Sequence, residues 1–198
     1  MKKQGSVFIE GLTVFLVILC CIFISLPFLV KNHQKEKDIV KWSQKFSNIR
    51  YAFAVVQAQS AGEDFMSDAF KHKLKTFLRV KQPANPKYKQ NFVNRKLENP
   101  TYKFDKFYEN EDDAIFGFKW INPKCELNEI CAVMSVDING YYVPNTWGMD
   151  VFGVNFYKDR VEPIGQEKSL KELKKDCSKS GTGVYCSAYY LIGGLIDK

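Results

Sequence analysis

Three hydrophobic patterns follow one another along the chain. Residues 11–30 are mostly apolar and contain no charged side chain. From Ile39 to Val56, apolar residues then recur at spacings of three and four, which is typical of one face of a helix. Beyond residue 114 the apolar residues alternate with polar ones or form short runs, as in half-buried strands. The patterns predict a long N-terminal helix followed by a sheet.

The uncharged segment is long enough to cross a bilayer. Twenty helical residues at about 1.5 Å each match a hydrocarbon core of about 30 Å. A secretory signal peptide has a shorter apolar region and a small-residue cleavage site, which this segment lacks. We therefore expect residues 6–30 to form the transmembrane half of the helix and residues 31–60 its amphipathic half.

The amphipathic half predicts a helix that lies on a sheet. A free-standing coiled coil is the alternative, but the stripe is short and several of its side chains are bulky aromatics. We expect Gly62 to end the helix, a second helix over 63–80 and an irregular connection over 81–100. The stripe consists of Ile39, Trp42, Phe46, Ile49, Phe53 and Val56.

The strand signals predict an antiparallel meander. Residues 114–121 and 131–138 form apolar or alternating runs, and residues 150–159 meet residues 160–165 at a charged turn. One face of such a sheet would cover the helical stripe. The expected fold class is α+β, with one globular domain over residues 61–198.

Six cysteines divide into two groups. Cys20 and Cys21 lie in the apolar segment, and the other four lie beyond residue 120. Four cysteines allow three pairings, of which we favour the two local ones because each closes a short loop. Their spacing does not fit a common zinc site, and disulfides belong outside the cytoplasm. The favoured pairs are Cys125–Cys131 and Cys177–Cys186.

Charge and composition exclude some functions. The net charge of the 198-residue chain is +7, but its lysines are scattered among acidic residues. This pattern indicates a solvated surface and argues against a nucleic-acid partner. The chain has no nucleophile elbow or phosphate loop, and its two histidines lie outside the strand region. We do not expect an enzyme.

Glu10 is an acid at the edge of an apolar segment. A carboxylate at the bilayer centre costs about 2.5–3.5 kcal/mol, and less near one end. Its side chain could reach the interface, or it could pair with an α-amino group, because an unpaired charge is costly at low dielectric. That amine could belong to Met1, nine residues away, or to Ser6 after cleavage behind Gly5.

These N-terminal residues resemble a known signal. Basic Lys2 and Lys3, then Gly5, then an apolar stretch with Glu10 as the fifth residue after the glycine, are similar to the type III signal of type IV pilins and type II secretion pseudopilins. Pro27, the twenty-second residue after the glycine, is also often present in that family. The family fold is a long N-terminal helix, transmembrane in its first half, on an antiparallel sheet.

The resemblance implies a life cycle and a set of partners. Residues 1–5 would be a leader removed by a prepilin peptidase, which also methylates the new N-terminus at Ser6. Glu10 would guide each subunit into a filament of identical or related subunits, and Pro27 would kink the helix. The subunit would wait in the inner membrane, with its globular domain outside the cytoplasm, for assembly machinery that serves secretion, adhesion or DNA uptake.

A loop between two predicted strands offers ligands for a hard cation. Asp137, Asn139, Asn145 and Asp150 carry oxygen donors around a turn that contains glycine. Calcium takes about six to eight such ligands, and pseudopilins often bind calcium in a loop. Asn-Gly and Pro-Asn are also ordinary turn sequences. We expect no required cofactor and hold calcium as the candidate ligand.

Two other functions fit parts of the sequence. An uncleaved single-pass membrane protein could present an extracytoplasmic domain that binds a ligand or a protein. A basic pilin could capture DNA, but this needs a cluster of cations that the sequence does not reveal. The N-terminal mass separates the first alternative from the filament subunit, because only the subunit loses residues 1–5.

Overall fold

The computed structural model describes residues 3–60, 67–104, 106–122 and 124–194, with the side chains among them except those of residues 3–11 and 27–33. The chain divides into two compact units, residues 1–37 and 38–198. The described helices are α1 (Lys3–Gln59), α2 (Asp68–Phe77), α3 (Leu170–Asp176) and α4 (Cys186–Leu191), with one 3-10 turn at Pro100–Tyr102.

The first unit is helical, and its residues 12–26 are mostly apolar. From residue 12 to residue 26 every side chain but one is exposed, and Phe23 and Ile24 are 73% and 77% exposed. Within the described residues, no helix combines the length and the apolarity that a membrane crossing requires. The side chains of Gly5, Ser6, Glu10 and Pro27 lie outside the described ones, although their backbone belongs to α1.

The second unit is built on the expected antiparallel meander. The sheet has six strands in chain order, and every neighbouring pair is antiparallel. The α+β class is therefore confirmed. The strands are β1 (Val80–Pro83), β2 (Phe107–Asn110), β3 (Ile115–Trp120), β4 (Ala132–Asp137), β5 (Val151–Phe156) and β6 (Val161–Pro163).

One face of the sheet, which we call the helix face, carries the predicted stripe. Trp42 is fully buried, stacks on Phe152 with ring centroids 5.0 Å apart, and donates its indole N–H to the Ser187 carbonyl at 2.9 Å. Phe53 packs against Phe156 at 5.7 Å. The strand residues of this face include Ala132, Met134, Val136, Phe152, Val154 and Phe156.

The opposite face, which we call the loop face, is covered by irregular chain instead of a long helix in the part of the sequence that the structure describes. Strand side chains alternate between faces, so Ser135 and Asp137 of β4 point to this side. The irregular segment 84–104 covers it, with Phe92, Tyr102 and Phe104 packed around Trp147. Gly117 permits this cover, because a Cβ there would lie 2.9 Å from the rings of both Phe104 and Phe107.

The stretch before β3 differs from the sequence prediction. The helix expected over 63–80 is described only from Asp68 to Phe77, with the Ser67 side chain accepting from the Phe70 N–H. It ends early because Arg79 adopts a positive φ of 54° and β1 starts at Val80. The expected irregular connection over 81–100 therefore begins as an edge strand and becomes irregular after Pro83.

Both favoured disulfides are present. Cys125–Cys131 closes the connection between β3 and β4, and Cys177–Cys186 joins the end of α3 to the start of α4. The C-terminal region packs back on the sheet, with α4 against β5. Tyr189 and Tyr190 are buried in the helix-face core, whereas Ile192 is 55% exposed.

Candidate functional site

The four candidate cation ligands lie at the two ends of one loop. Asp137 is the last residue of β4, and Asp150 directly precedes β5. Both carboxyl groups are buried, with the two residues 0% and 2% exposed. Asn139 and Asn145 belong to the loop between them. Pairing of β4 with β5 thus brings Asp137 and Asp150 to the same end of the two strands, with the two asparagines in the loop between them.

Asp137 organises the first half of this loop. One carboxylate oxygen, Oδ1, accepts the backbone N–H groups of Asn139 at 3.2 Å and Gly140 at 2.9 Å. The other, Oδ2, accepts the phenolic hydroxyl of Tyr88 at 2.6 Å. Hydrogen bonds from an aspartate to the backbone two and three residues later form a tight turn.

This turn requires glycine at position 140. Gly140 has a φ of +69°, and a Cβ there would lie 2.1 Å from the carbonyl oxygen of Asp113. Any other side chain would combine a disfavoured backbone conformation with a steric clash. The Asn139-Gly140 pair therefore holds the backbone N–H groups against the Asp137 carboxylate.

Asp150 organises the second half in the same way. Its Oδ1 accepts the Thr146 N–H at 2.6 Å, and its Oδ2 accepts the Asn145 N–H at 2.9 Å. The Asn139 side-chain amide also donates to Oδ2, at 3.3 Å, which links the two halves. Asn145 adopts a φ of 47°, a left-handed conformation that asparagine tolerates well.

The surroundings of the two carboxyl groups disfavour their charged forms. The pKa of Asp137 is raised to about 7, chiefly by burial and also by the nearby Asp150 charge, while the hydrogen bonds from Tyr88 and from the backbone N–H groups of Asn139 and Gly140 oppose the rise. Burial also raises the pKa of Asp150. The pKa of Tyr88 is raised by burial and by the Asp137 charge, so its hydroxyl stays protonated as a donor. Near neutral pH the loop therefore holds negative charge that burial disfavours.

Two amide oxygens complete the donor set. Among the described residues, the side-chain oxygens of Asn139 and Asn145 are buried and have no hydrogen-bond partner. A buried acceptor without a partner is costly, and an oxygen of this kind can be satisfied by a cation. Carboxylate and amide oxygens suit Ca²⁺ and do not suit Zn²⁺.

This site contains mixed donors and no acidic cluster. No group of three or more His, Cys, Asp or Glu side chains that could hold a metal occurs in the part of the chain that is described. Two carboxylates and two amides supply four side-chain oxygens, and a calcium ion would need further oxygens from the backbone or water. The residues present fit a calcium site in which side chains supply about half of the six to eight oxygen ligands.

Sequence reasoning missed Tyr88. It lies 49 residues before Asp137, in the segment that the sequence presents as irregular, and nothing in the local pattern marks it. The same segment is tied to the loop by the Asn91 N–H, which donates to the Asn145 carbonyl at 2.8 Å, and by the Trp147 N–H, which donates to the Asn91 carbonyl at 2.8 Å. The candidate site thus includes a tyrosine from the cover of the loop face.

Comparisons with known proteins assign no function to this site. A scan against protein-family models and searches of curated proteins and of solved structures find no match to the chain.

Proposed function

We propose that this protein is a structural subunit of a type IV filament, a pilin or pseudopilin, that assembles from the inner membrane. The observation that carries the proposal is the helical segment 12–26, whose apolar side chains are exposed on every side. An exposed apolar surface of this extent needs an apolar environment outside the chain. Lipid supplies that environment before assembly, and the helices of neighbouring subunits supply it in the filament.

The second unit supports the same proposal. The apolar stripe of α1 packs on an antiparallel sheet, which is the arrangement that the resemblance to pilins implies. Its two disulfides suit an oxidising compartment outside the cytoplasm. A subunit with this organisation would present residues 38–198 as the outer surface of a filament.

Glu10 is the residue on which the assembly step depends. Cleavage after Gly5 would place a new amino group at Ser6, and its positive charge would attract the Glu10 carboxylate of a neighbouring subunit. In the low dielectric of a helix bundle this pairing removes two costly isolated charges. It would also fix the axial offset between neighbouring subunits.

Two measurements test this proposal. The mass of the membrane-extracted chain should correspond to an N-terminus at Ser6, with or without one added methyl group. The Glu10→Gln variant should insert into the membrane and keep both disulfides but form no filaments. Glu36→Gln, which removes an exposed acid from the same helix, is the matched control and should assemble normally. Normal filaments from Glu10→Gln would disprove the pairing role.

Calcium is the proposed ligand of the loop between β4 and β5. Two buried carboxylates and two buried amide oxygens without partners support this assignment. A bound ion would neutralise the charge that burial disfavours and would stiffen the loop. The ion has a structural role in this proposal, and no chemical step depends on it.

One observation favours the alternative of an uncleaved membrane protein that binds a ligand. The loop face contains a cleft of about 940 Å³, which is large enough for a small molecule or for a segment of a polymer. If the chain purified from cells with an active prepilin peptidase begins at Met1, this result favours the alternative over the filament subunit.

A further inference from the structure

The cleft on the loop face has aromatic residues along its floor and positively charged residues along its rim. It has a volume of about 940 Å³ and lies along residues 83–108. Its aromatic lining residues include Tyr88, Phe92, Tyr102, Phe104 and Phe107. Tyr88 and Phe92 are buried, whereas the other three residues are half-buried.

The walls of the cleft are fixed by the rest of the fold. The Ala84 N–H donates to the Phe107 carbonyl at 2.9 Å, and the Val93 N–H donates to the Thr182 carbonyl at 3.0 Å. Phe104 and Phe92 are both stacked parallel to Trp147, with centroids 6.5 Å and 6.3 Å away. The aromatic floor is therefore held in place without any ligand.

The rim is positively charged. Among the described lining residues, the charged side chains are four cations and one carboxylate. Lys103 pairs with that carboxylate, Glu98. Lys89, Arg95 and Lys106 make no ion pair or side-chain hydrogen bond with any described residue, and all three are exposed. The cleft thus has three free positive charges available for an anionic ligand.

The polar side chains of the cleft are mostly used within the protein. The Asn85 side-chain oxygen accepts the Lys87 N–H at 2.9 Å. The Gln90 side-chain amide donates to the hydroxyls of Ser135 at 3.0 Å and Tyr88 at 3.2 Å. A sugar polymer would need many such groups for its hydroxyls. The groups that remain available are the rings, the cations and the Gln90 side-chain oxygen, which is buried without a partner among the described residues.

We propose that this cleft binds single-stranded nucleic acid, with bases against the aromatic floor and phosphates at Lys89, Arg95 and Lys106. Aromatic rings combined with a positively charged groove are the usual basis of sequence-tolerant binding to single strands. Every base has a flat face for stacking, and every phosphate has a charge for the rim. This proposal does not depend on filament assembly, because a dispersed subunit contains the whole cleft.

The fold creates a cluster that the sequence does not display. Lys89, Arg95 and Lys106 are separated by five and ten residues and are interleaved with other residue types. The irregular path of segment 84–104 across the loop face brings them to one rim. The expectation against a nucleic-acid partner relied on scattered positions along the chain, and this clustering is the reason to test it.

The test uses the full chain in detergent and a fluorescein-labelled oligothymidylate of about twelve nucleotides, followed by fluorescence anisotropy. Neutralising three phosphate contacts gives a salt slope of about −2, so affinity should fall roughly twentyfold between about 50 and about 200 mM salt. The triple variant Lys89→Gln, Arg95→Gln, Lys106→Gln should lose at least about tenfold in affinity and most of this slope. The control Lys124→Gln, Lys171→Gln, Lys179→Gln removes the same charge elsewhere and should bind as the parent chain does.

A second variant tests stacking apart from charge. Tyr102→Leu should weaken binding about tenfold and leave the salt slope unchanged. Tyr51→Leu, which replaces a 70% exposed tyrosine on α1, is its control and should have no effect. The melting temperature of each variant shows whether its fold is intact. Tyr102→Phe keeps the ring and should keep full affinity, so a loss in Tyr102→Leu that Tyr102→Phe does not share is assigned to stacking.

Three results would overturn the proposal. Equal affinity of the rim variant and its control would show that binding occurs elsewhere. Tighter binding of a duplex of the same length would exclude base stacking. Displacement of the oligothymidylate by polyglutamate or polygalacturonate at the same charge concentration would show that the cleft selects an acidic peptide or sugar chain. None of these results bears on filament assembly, which the Ser6 and Glu10 measurements test separately.

Discussion

The two faces of the sheet differ in how they are covered. The helix face packs against α1, and Trp42 of α1 and Phe152 of β5 are fully buried where the two meet. The loop face is covered by an irregular segment and contains two buried aspartates, unpartnered amide oxygens and a cleft. Buried polar groups and cavities reduce stability, so this face has features that stability alone does not explain.

The two faces contribute differently to stability and to ligand binding. Apolar packing on the helix face supplies most of the folding free energy, since buried aromatic area dominates such cores. The loop face can then hold polar groups whose burial is unfavourable without a ligand. Mutations on the helix face should change stability under all conditions, whereas mutations on the loop face should act in a way that depends on pH, calcium or ligand.

The largest effect is expected from the helix face. Trp42→Ala should reduce the free energy of unfolding of residues 38–198 by about 3–5 kcal/mol, because it empties a fully buried site and removes the hydrogen bond to Ser187. The loss should be the same with and without calcium. Chemical denaturation followed by circular dichroism measures it, and Tyr51→Ala on the exposed side of the same helix is the control.

Calcium should produce the next largest effect, on the loop face alone. At a concentration one hundred times its dissociation constant, the ion should stabilise the protein by about 2.7 kcal/mol. Terbium luminescence, excited through the nearby tyrosines, reports binding directly. Asp150→Asn should abolish both signals, and Asp159→Asn, which neutralises a half-exposed acid in the turn after β5, should abolish neither. Unchanged melting in calcium would remove the ion from the proposal.

The pH dependence of stability should have an unusual sign. Because the pKa of Asp137 is raised to about 7 in the folded protein, the folded state holds a proton that the unfolded state releases. Without calcium, stability should therefore fall by about 2 kcal/mol as the pH rises from about 5 to about 7. Asp137→Asn should flatten this profile, and saturating calcium should flatten it too. Stability that rises with pH over this range would contradict the assignment.

The smallest effect is expected from Tyr88→Phe. The variant removes one hydrogen bond to the Asp137 carboxylate and should cost about 1.5 kcal/mol at neutral pH. The loss should be smaller near pH 5, where the carboxyl group is protonated and needs its donor less. Urea denaturation at the two pH values measures the difference. Tyr142→Phe, at a hydroxyl that lies in the exposed part of the loop, is the control.

The regular elements of the helix face were predictable from sequence. The stripe from Ile39 to Val56 has the helical period, and β3, β4 and β5 are apolar runs with clear turn residues between them. These patterns exist because one face of each element is buried in the same core. Both disulfide pairings also followed from short loop closure.

The short strands and the cleft were not predictable. β1 and β2 have four residues each, and β1 ends at a proline on the sheet edge, so neither has enough positions to show a period. The partner of Asp137 and the cationic rim depend on the path of segment 84–104. That path is set by contacts between residues far apart in the chain, such as Val93 with Thr182, and no local pattern encodes them.

The hydrogen bond from Trp42 to Ser187 has a consequence for how the protein is made. The two residues are 145 positions apart, so the indole emerges from the ribosome long before the carbonyl that it needs. Strand β5 and helix α4, which complete the same core, also emerge late. The aromatic side chains in the second half of α1 therefore stay partly uncovered until nearly the whole chain has been synthesised.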